Sequence, residues 1–226
     1  NLLLLKNEYA RRKSIYINYI ASKFMSSFNK GILYIVIGSF WWGVIGVIYF
    51  RSLSFVGNIE LVLHRVVWTS LMLIVTVVYL SKWNKIKKII KKKENIFYLG
   101  ITGFLIFVNW SVWIFAVSTN QIVDASFGYF IMPILSVLFG YIFFKEILNK
   151  LRVFSIILTF FSVVYLFYFY KNFPWIGLTV GLSWSLYNVF RKKIDVEVDL
   201  GLLIESLLIL PFALIAFYFV YDSGNL

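Results

Sequence analysis

The sequence predicts an all-α integral membrane fold, and three observations carry that expectation. Of the 226 residues, 61% are hydrophobic and only 14% are charged, with a mean hydropathy of +0.85; soluble domains carry roughly 25% charged residues. Seven apolar runs are long enough, at about 20 helical residues each, to cross a hydrocarbon core about 30 Å thick. None of them alternates in hydrophobicity as a barrel strand would, so helices are left as the way to satisfy every backbone amide within lipid.

Taken in chain order, the spans are expected near 31–50, 59–80, 96–117, 124–144, 151–170, 174–190 and 200–220. Residues 1–30 precede them. This segment begins with Asn and lacks the compact apolar region of a signal peptide. Met25 is a natural start, and Tyr9 to Ile20 could alternatively form a basic interfacial helix. The longest connection between spans, 81–95, is too short to fold as a soluble domain, so any function must lie within the bundle.

Orientation follows from the cations. Nineteen Lys and Arg fall in 1–30, 81–95, 145–152 and 191–199, and two, Arg51 and Lys171, fall in the connections on the other side. That asymmetry places the N-terminus in the cytoplasm. The formal charge of +12 therefore reports topology rather than nucleic-acid binding. With no cysteine and a single histidine, thiolate chemistry is excluded and a dedicated metal site is not expected. No phosphate-binding loop is present, which disfavours ATP-driven chemistry, and no cofactor is expected. An embedded enzyme would need paired carboxylates or a Ser/His arrangement converging in the bundle; one His among scattered acids argues against it.

An internal repeat is visible. "GSFWWG" at 38–43 is echoed by "GLSWSLY" at 181–187, aligning Gly38 with Gly181 and Trp41 with Trp184 at an offset of 143. Glu60 and Glu205, each near the start of the following span, are 145 apart. Five spans, 31–170, would form one repeat, and 174–226 would supply the first two helices of a second.

The blocks "ELVLHRVVW", "NWSVWIFAV", "DASFGYFIMP", "LFGYIFFKE" and "LYNVFRKKIDVE" followed by "GLLIESLLILP" resemble RarD-type members of the EamA family, in the drug/metabolite transporter superfamily. The resemblance runs from about Gly31 to the end. It implies ten helices in two inverted five-helix repeats, the bacterial inner membrane, and export or import of small organic solutes by alternating access. Seven of those ten helices are expected here, and pairing with a second copy is left open. The chain departs from the family pattern at Lys145, where a glycine usually precedes the glutamate, and at Ser155 and Ser162, which stand at two glycine positions.

Polar residues inside the spans are the site candidates. Glu60 and His64 share a helix face at i,i+4, with Arg65 about 100° round from His64. An arginine at mid-span costs about 2.5–3.5 kcal/mol on insertion scales, which implies a partner or water. Either Arg65 holds a polar substrate group while Glu60 or His64 titrates, or Glu60 caps the helix and Arg65 snorkels outward. Asn109, Trp110 and Trp113 form a polar and aromatic stripe suited to a pocket wall or to packing. Asp124 is either an N-cap or a pathway residue, with Ser126 and Tyr129 beside it. Asn188 and Glu205 repeat this polarity in the second half. Pro133 offers a bend point, and Glu146, beside Lys145 and Lys150, is expected to orient an ion pair. The expected partners are a small-molecule substrate and the lipid bilayer.

Overall fold

The computed structural model describes residues 28–170 and 173–222. The expectations for 1–27, including a start at Met25 and a helix at Tyr9 to Ile20, fall outside the described residues. Helices occupy all seven expected ranges: α1 (Phe28–Ser52), α2 (Asn58–Tyr79), α4 (Lys93–Ser118), α5 (Ile122–Phe144), α6 (Lys150–Tyr170), α7 (Trp175–Lys192) and α8 (Val198–Asp222). Among the described residues, α1, α2, α4, α5 and α8 combine the length and apolar character needed to cross a membrane.

One connection is not a plain loop. Within 81–95 the structure places a further helix, α3 (Trp83–Lys91), with Ile86 and Ile89 buried and its lysines outward. The isoleucines recur three residues apart in "KIKKIIK", giving the segment one apolar stripe despite its charge.

The chain divides at Tyr49 into two units. The first is α1 up to that residue, a helix in which the tryptophan-glycine segment Trp41–Gly46 takes the wider π-helical winding. The second, from Phe50, contains the packed bundle. Here α2 turns inward at Leu63, Val66, Ser70, Leu73 and Val77, steps of three and four that keep one narrow face against a neighbour. That neighbour is α8. Leu63 and Val66 share a cluster with Ala213, whereas Leu73 and Val77 cluster with Leu200, Leu203 and Ile204, so the two helices run antiparallel. The same lower cluster takes in Ile86 and Ile89, which pins α3 beneath the bundle.

In lipid, burying apolar side chains gives little drive to helix association, so close packing must supply it. The α5–α7 crossing shows how. A Cβ at Gly128 would lie 2.5 Å from the carbonyl oxygen of Gly177, and one at Gly177 would lie 2.7 Å from that of Asp124. Only glycine lets these backbones approach so closely. At its other end α5 stops at Lys145, which adopts a left-handed conformation (φ 52°), and the Glu146 N–H donates back to the Gly140 carbonyl at 3.3 Å. Lys145 thus takes the left-handed conformation that glycine most readily adopts at a helix C-terminus, at the position where the resemblance implies glycine.

Candidate functional site

Polar side chains gather in three groups along α4, the first two at nearly one depth and the third two turns away, where α4 lies against α2, α7 and α8. In the first group Arg65 of α2 leaves its neighbours. Its guanidinium sits 4.2 Å from the ring centre of Trp110 and 5.7 Å from that of Phe50, while Phe50 in turn meets Trp113 edge-on at 5.4 Å. Tyr129 of α5 lies close enough to act on it electrostatically. Aromatic faces are negative, so they stabilise a cation that lipid would reject. Arg65 therefore does not snorkel outward; it turns into the bundle.

Glu60 and His64 go elsewhere. Their side chains come within 3.6 Å of each other, with His64 46% exposed and Glu60 17% exposed. The imidazole also packs edge-on against Phe217 of α8 at 4.9 Å. Glu60 is not a cap: Gly57 holds that position, and Glu60 lies in the first turn, where its charge suits the helix dipole. The same correction applies to Asp124. Gln121 is the N-cap of α5 and Asp124 sits one turn inside it, because the helix begins earlier than the apolar run.

In the second group, on the residue of α4 next to Trp110, Asn109 is buried. Its amide donates to the Val180 carbonyl and to Ser183 Oγ, both at 3.1 Å, tying α4 to α7. Trp110 and Trp113 are buried beside it. Thus the stripe expected from the sequence faces inward, but its members divide between helix pairing and the arginine.

The third group contains the most enclosed charge among the described residues. Glu205 of α8 has 0% exposure. Thr102 Oγ1 donates to its Oε1 at 2.7 Å, the Tyr187 hydroxyl donates to Oε2 at 3.2 Å, and Arg191 Nε lies 3.6 Å from Oε1. Arg191 also donates from Nη2 to the carbonyls of Val196 and Glu197, at 3.4 Å each. Gly103 lets the α8 backbone approach α4, since a Cβ there would sit 3.3 Å from the Glu205 carbonyl oxygen. Glu205 was nominated from the repeat. Thr102, Tyr187 and Arg191 were not, although Ser183, Tyr187 and Arg191 are spaced by four and hence share one face of α7.

The remaining candidates are less enclosed. Asn188 and Ser126 are exposed, and the Ser126 hydroxyl donates to the Ile122 carbonyl of its own helix at 2.8 Å. α5 continues through Pro133 to Phe144. Glu146 does form an ion pair, but with Lys192 of α7 rather than with Lys145 or Lys150. The hydrogen bond from Lys192 holds the Glu146 carboxyl below its ordinary range. On the same side Lys82 bridges Glu197 and Asp199, at 2.9 and 2.6 Å, and Lys85 joins Glu197. Among the described residues no group of three or more His, Asp or Glu is placed to hold a metal ion.

The EamA-like transporter family matches residues 29–168. The chain is 32% identical over 197 residues to protein RarD of Escherichia coli K12, covering 87% of this chain and 66% of that protein. It is 33% identical over 195 residues to an uncharacterized transporter of Vibrio cholerae, covering 86% and 64% respectively. A third relative, "Chloramphenicol-sensitive protein RarD" of Pseudomonas aeruginosa, is 26% identical over 181 residues, 78% of this chain and 60% of the relative. The chain spans about two thirds of the length of these curated relatives. No solved structure matches. On these sequence matches, and with its bundle of apolar helices, the chain belongs to the EamA-like transporter family.

Proposed function

We propose that the protein works as a secondary transporter of small organic solutes in a bacterial inner membrane, by alternating access. The observation that carries this reading is the ladder of polar stations on α4. Trp110 with Arg65, Asn109 with Ser183, and Thr102 with Glu205 follow one another through membrane-spanning helices, where polar groups are costly and mark pathways by default. Between Thr102 and Asn109 the helix rises about 10 Å, a small molecule's length, whereas Asn109 and Trp110 are consecutive and reach different helices from nearly one depth.

Two further features support the inverted five-helix arrangement with a cytoplasmic N-terminus. The two helices that correspond by the offset near 145, α2 and α8, pack antiparallel against each other. Helices related by a two-fold axis in the membrane plane must do so where the axis passes between them. The lysine-rich elements α3, Lys145 to Arg152 and Arg191 to Lys193 also gather at one end, joined by ion pairs. In this reading Arg65 engages a polar substrate group, and Glu60 with His64 supplies a titratable pair for proton coupling.

The test is transport by the purified chain in proteoliposomes. Vesicles would be loaded with a bacterial metabolite extract, or with chloramphenicol as a defined probe, and the solutes leaving would be identified by mass spectrometry with and without a pH gradient. Efflux of particular solutes that Arg65→Ala abolishes is expected. Release indistinguishable from protein-free vesicles for every solute would overturn the reading, and release insensitive to the gradient and to Glu60→Gln would remove the coupling role.

A further inference from the structure

We propose that the cleft between α4 and α8 is a binding site for an anionic phospholipid of the leaflet that holds α3. The cleft has a volume of about 830 Å³ and is lined along α4 by Ile96, Phe97, Gly100, Ile101, Phe104 and Phe107, opposite the stretch from Leu208 to Ala216 of α8, with Leu63 of α2 closing its end away from α3. Every lining residue is apolar, so a polar solute has nothing to bind there. Asn109 and Thr102 lie round the α4 wheel from residues 96, 100 and 104, bonded to Ser183 of α7 and to Glu205, one turn before the α8 stretch that lines the cleft. From Ile96 to Phe107 the helix rises about 16 Å, the hydrocarbon depth of one leaflet. An acyl chain therefore fits it in length as well as in chemistry.

Charge at the mouth selects the headgroup. The stripe 96, 97, 100, 104, 107 extends one turn back to Lys93, which puts that lysine at the head of the cleft on the same helix face. Lys91 and Lys92 precede it, and Lys87 and Lys88 extend the cluster along α3; all five are exposed, and among the described residues none forms an ion pair. Three lysines at the positive end of the α4 dipole raise the local potential further, an arrangement that an anion relieves. In contrast, Lys82 and Lys85 of the same segment are already neutralised by Glu197 and Asp199. With Trp83 at its start and Ile86 and Ile89 turned inward, α3 lies as a basic amphipathic helix at headgroup level.

The full chain, purified in a neutral detergent, is titrated with phosphatidylglycerol, with phosphatidylcholine of the same acyl composition, and with inorganic phosphate. Native mass spectrometry counts the retained lipid and the thermal midpoint is followed in parallel. Phosphatidylglycerol is expected to be retained and to raise the midpoint, while phosphatidylcholine and phosphate do neither. Lys92→Ala and Lys93→Ala should each weaken retention roughly fivefold. Gly100→Leu should abolish it without unfolding the protein, because a Cβ at Gly100 meets no atom within 4 Å. Equal retention of the two lipids, stabilisation by phosphate alone, or retention unchanged in Gly100→Leu would overturn the proposal. So would failure to retain either lipid, which would leave the cleft as a seat for a further helix.

Discussion

Glu60 and Glu205 stand 145 residues apart, each in the first half of its helix, and the structure treats them in opposite ways. Glu60 keeps 17% exposure and a single loose approach from His64 at 3.6 Å. Glu205 has none, and receives Thr102, Tyr187 and Arg191 from two other helices. The side chain is the same, so the difference comes from the neighbours. α4 and α7 bring hydroxyls and a guanidinium to Glu205, whereas among the described residues Glu60 pairs with His64, one turn along its own helix. A buried carboxylate is tolerable when its hydrogen-bonding capacity is filled, and it becomes a liability when one partner is removed.

The sharpest way to break this comparison is to delete the two carboxylates in turn. Glu205→Ala leaves the Arg191 guanidinium buried beside an empty site, and should destabilise the protein by about 3–5 kcal/mol. Glu60→Ala should cost less, about 1 kcal/mol, as expected for a loose pair that keeps contact with its surroundings on the His64 side. Thermal unfolding in one detergent measures both. Equal losses would mean that enclosure by α4 and α7 contributes nothing, while a small loss for Glu205→Gln would show that hydrogen bonding outweighs charge.

A subtler intervention makes Glu205 resemble Glu60 without touching it. Gly128→Ala must push α7 away from α5, since the new Cβ would fall 2.5 Å from the Gly177 carbonyl oxygen. Overpacking of this kind costs about 1–3 kcal/mol. If Tyr187 moves with α7, then Gly128→Ala and Tyr187→Phe will not add, because each loosens the same bond. Strict additivity would show that the α5–α7 crossing and the Glu205 site are independent.

The outer station sharpens the comparison from the other side. Stacking of a desolvated guanidinium on an indole contributes about 2 kcal/mol, so Trp110→Leu should lower stability by a similar amount. Arg65→Lys keeps the charge but loses the planar stacking, and should fall between wild type and Arg65→Ala. A midpoint unchanged in Trp110→Leu would leave Arg65 anchored by something other than the aromatic faces.

The reason one glutamate could be nominated with its setting and the other could not lies in how signals combine. Seven apolar runs fixed the helices to within about three residues, because hydropathy is a property of a whole segment. Glu205 stood out since the repeat aligned it with Glu60. Thr102, Tyr187 and Arg191 did not, for separate reasons. Thr102 can bond its own helix anywhere, and its hydroxyl does approach the Tyr98 carbonyl at 3.0 Å. Tyr187 is one of 15 tyrosines, most of them suited to lipid or packing. Arg191 had already been used as an orientation signal, which hid its second role. The same substitution of meaning hid α3, whose lysines were read as topology while Ile86 and Ile89 set a helical stripe. Asp124 and Glu60 look like caps by composition, but caps are defined by where the backbone turns, and that occurs at Gln121 and Gly57.

The smallest expected effect belongs to the ionic clamp that holds α3 to the start of α8, at the same end as Glu205. Lys85 and Lys82 hydrogen bond to Glu197 and keep its carboxyl below the ordinary 4.5; Asp199 and Glu197 raise Lys82 above its ordinary 10.5. The signs follow. The carboxylate's contribution is complete above pH 4.5 and is lost as pH falls through the depressed value; the lysine's is complete below pH 10.5 and is lost as pH rises through the raised one. Between those limits the clamp is intact and flat with pH. Because these groups are solvated, salt should weaken them, whereas the enclosed Glu205 should be indifferent to it. The difference in thermal midpoint between wild type and Lys82→Ala is therefore expected to be modest near neutrality, smaller at high ionic strength, and absent in acid below the depressed carboxyl range. A difference that persists in acid would mean that Lys82 acts through the packing of its methylene stem, and the clamp would then belong with the apolar cluster of Ile86 and Ile89 rather than with the charges around it.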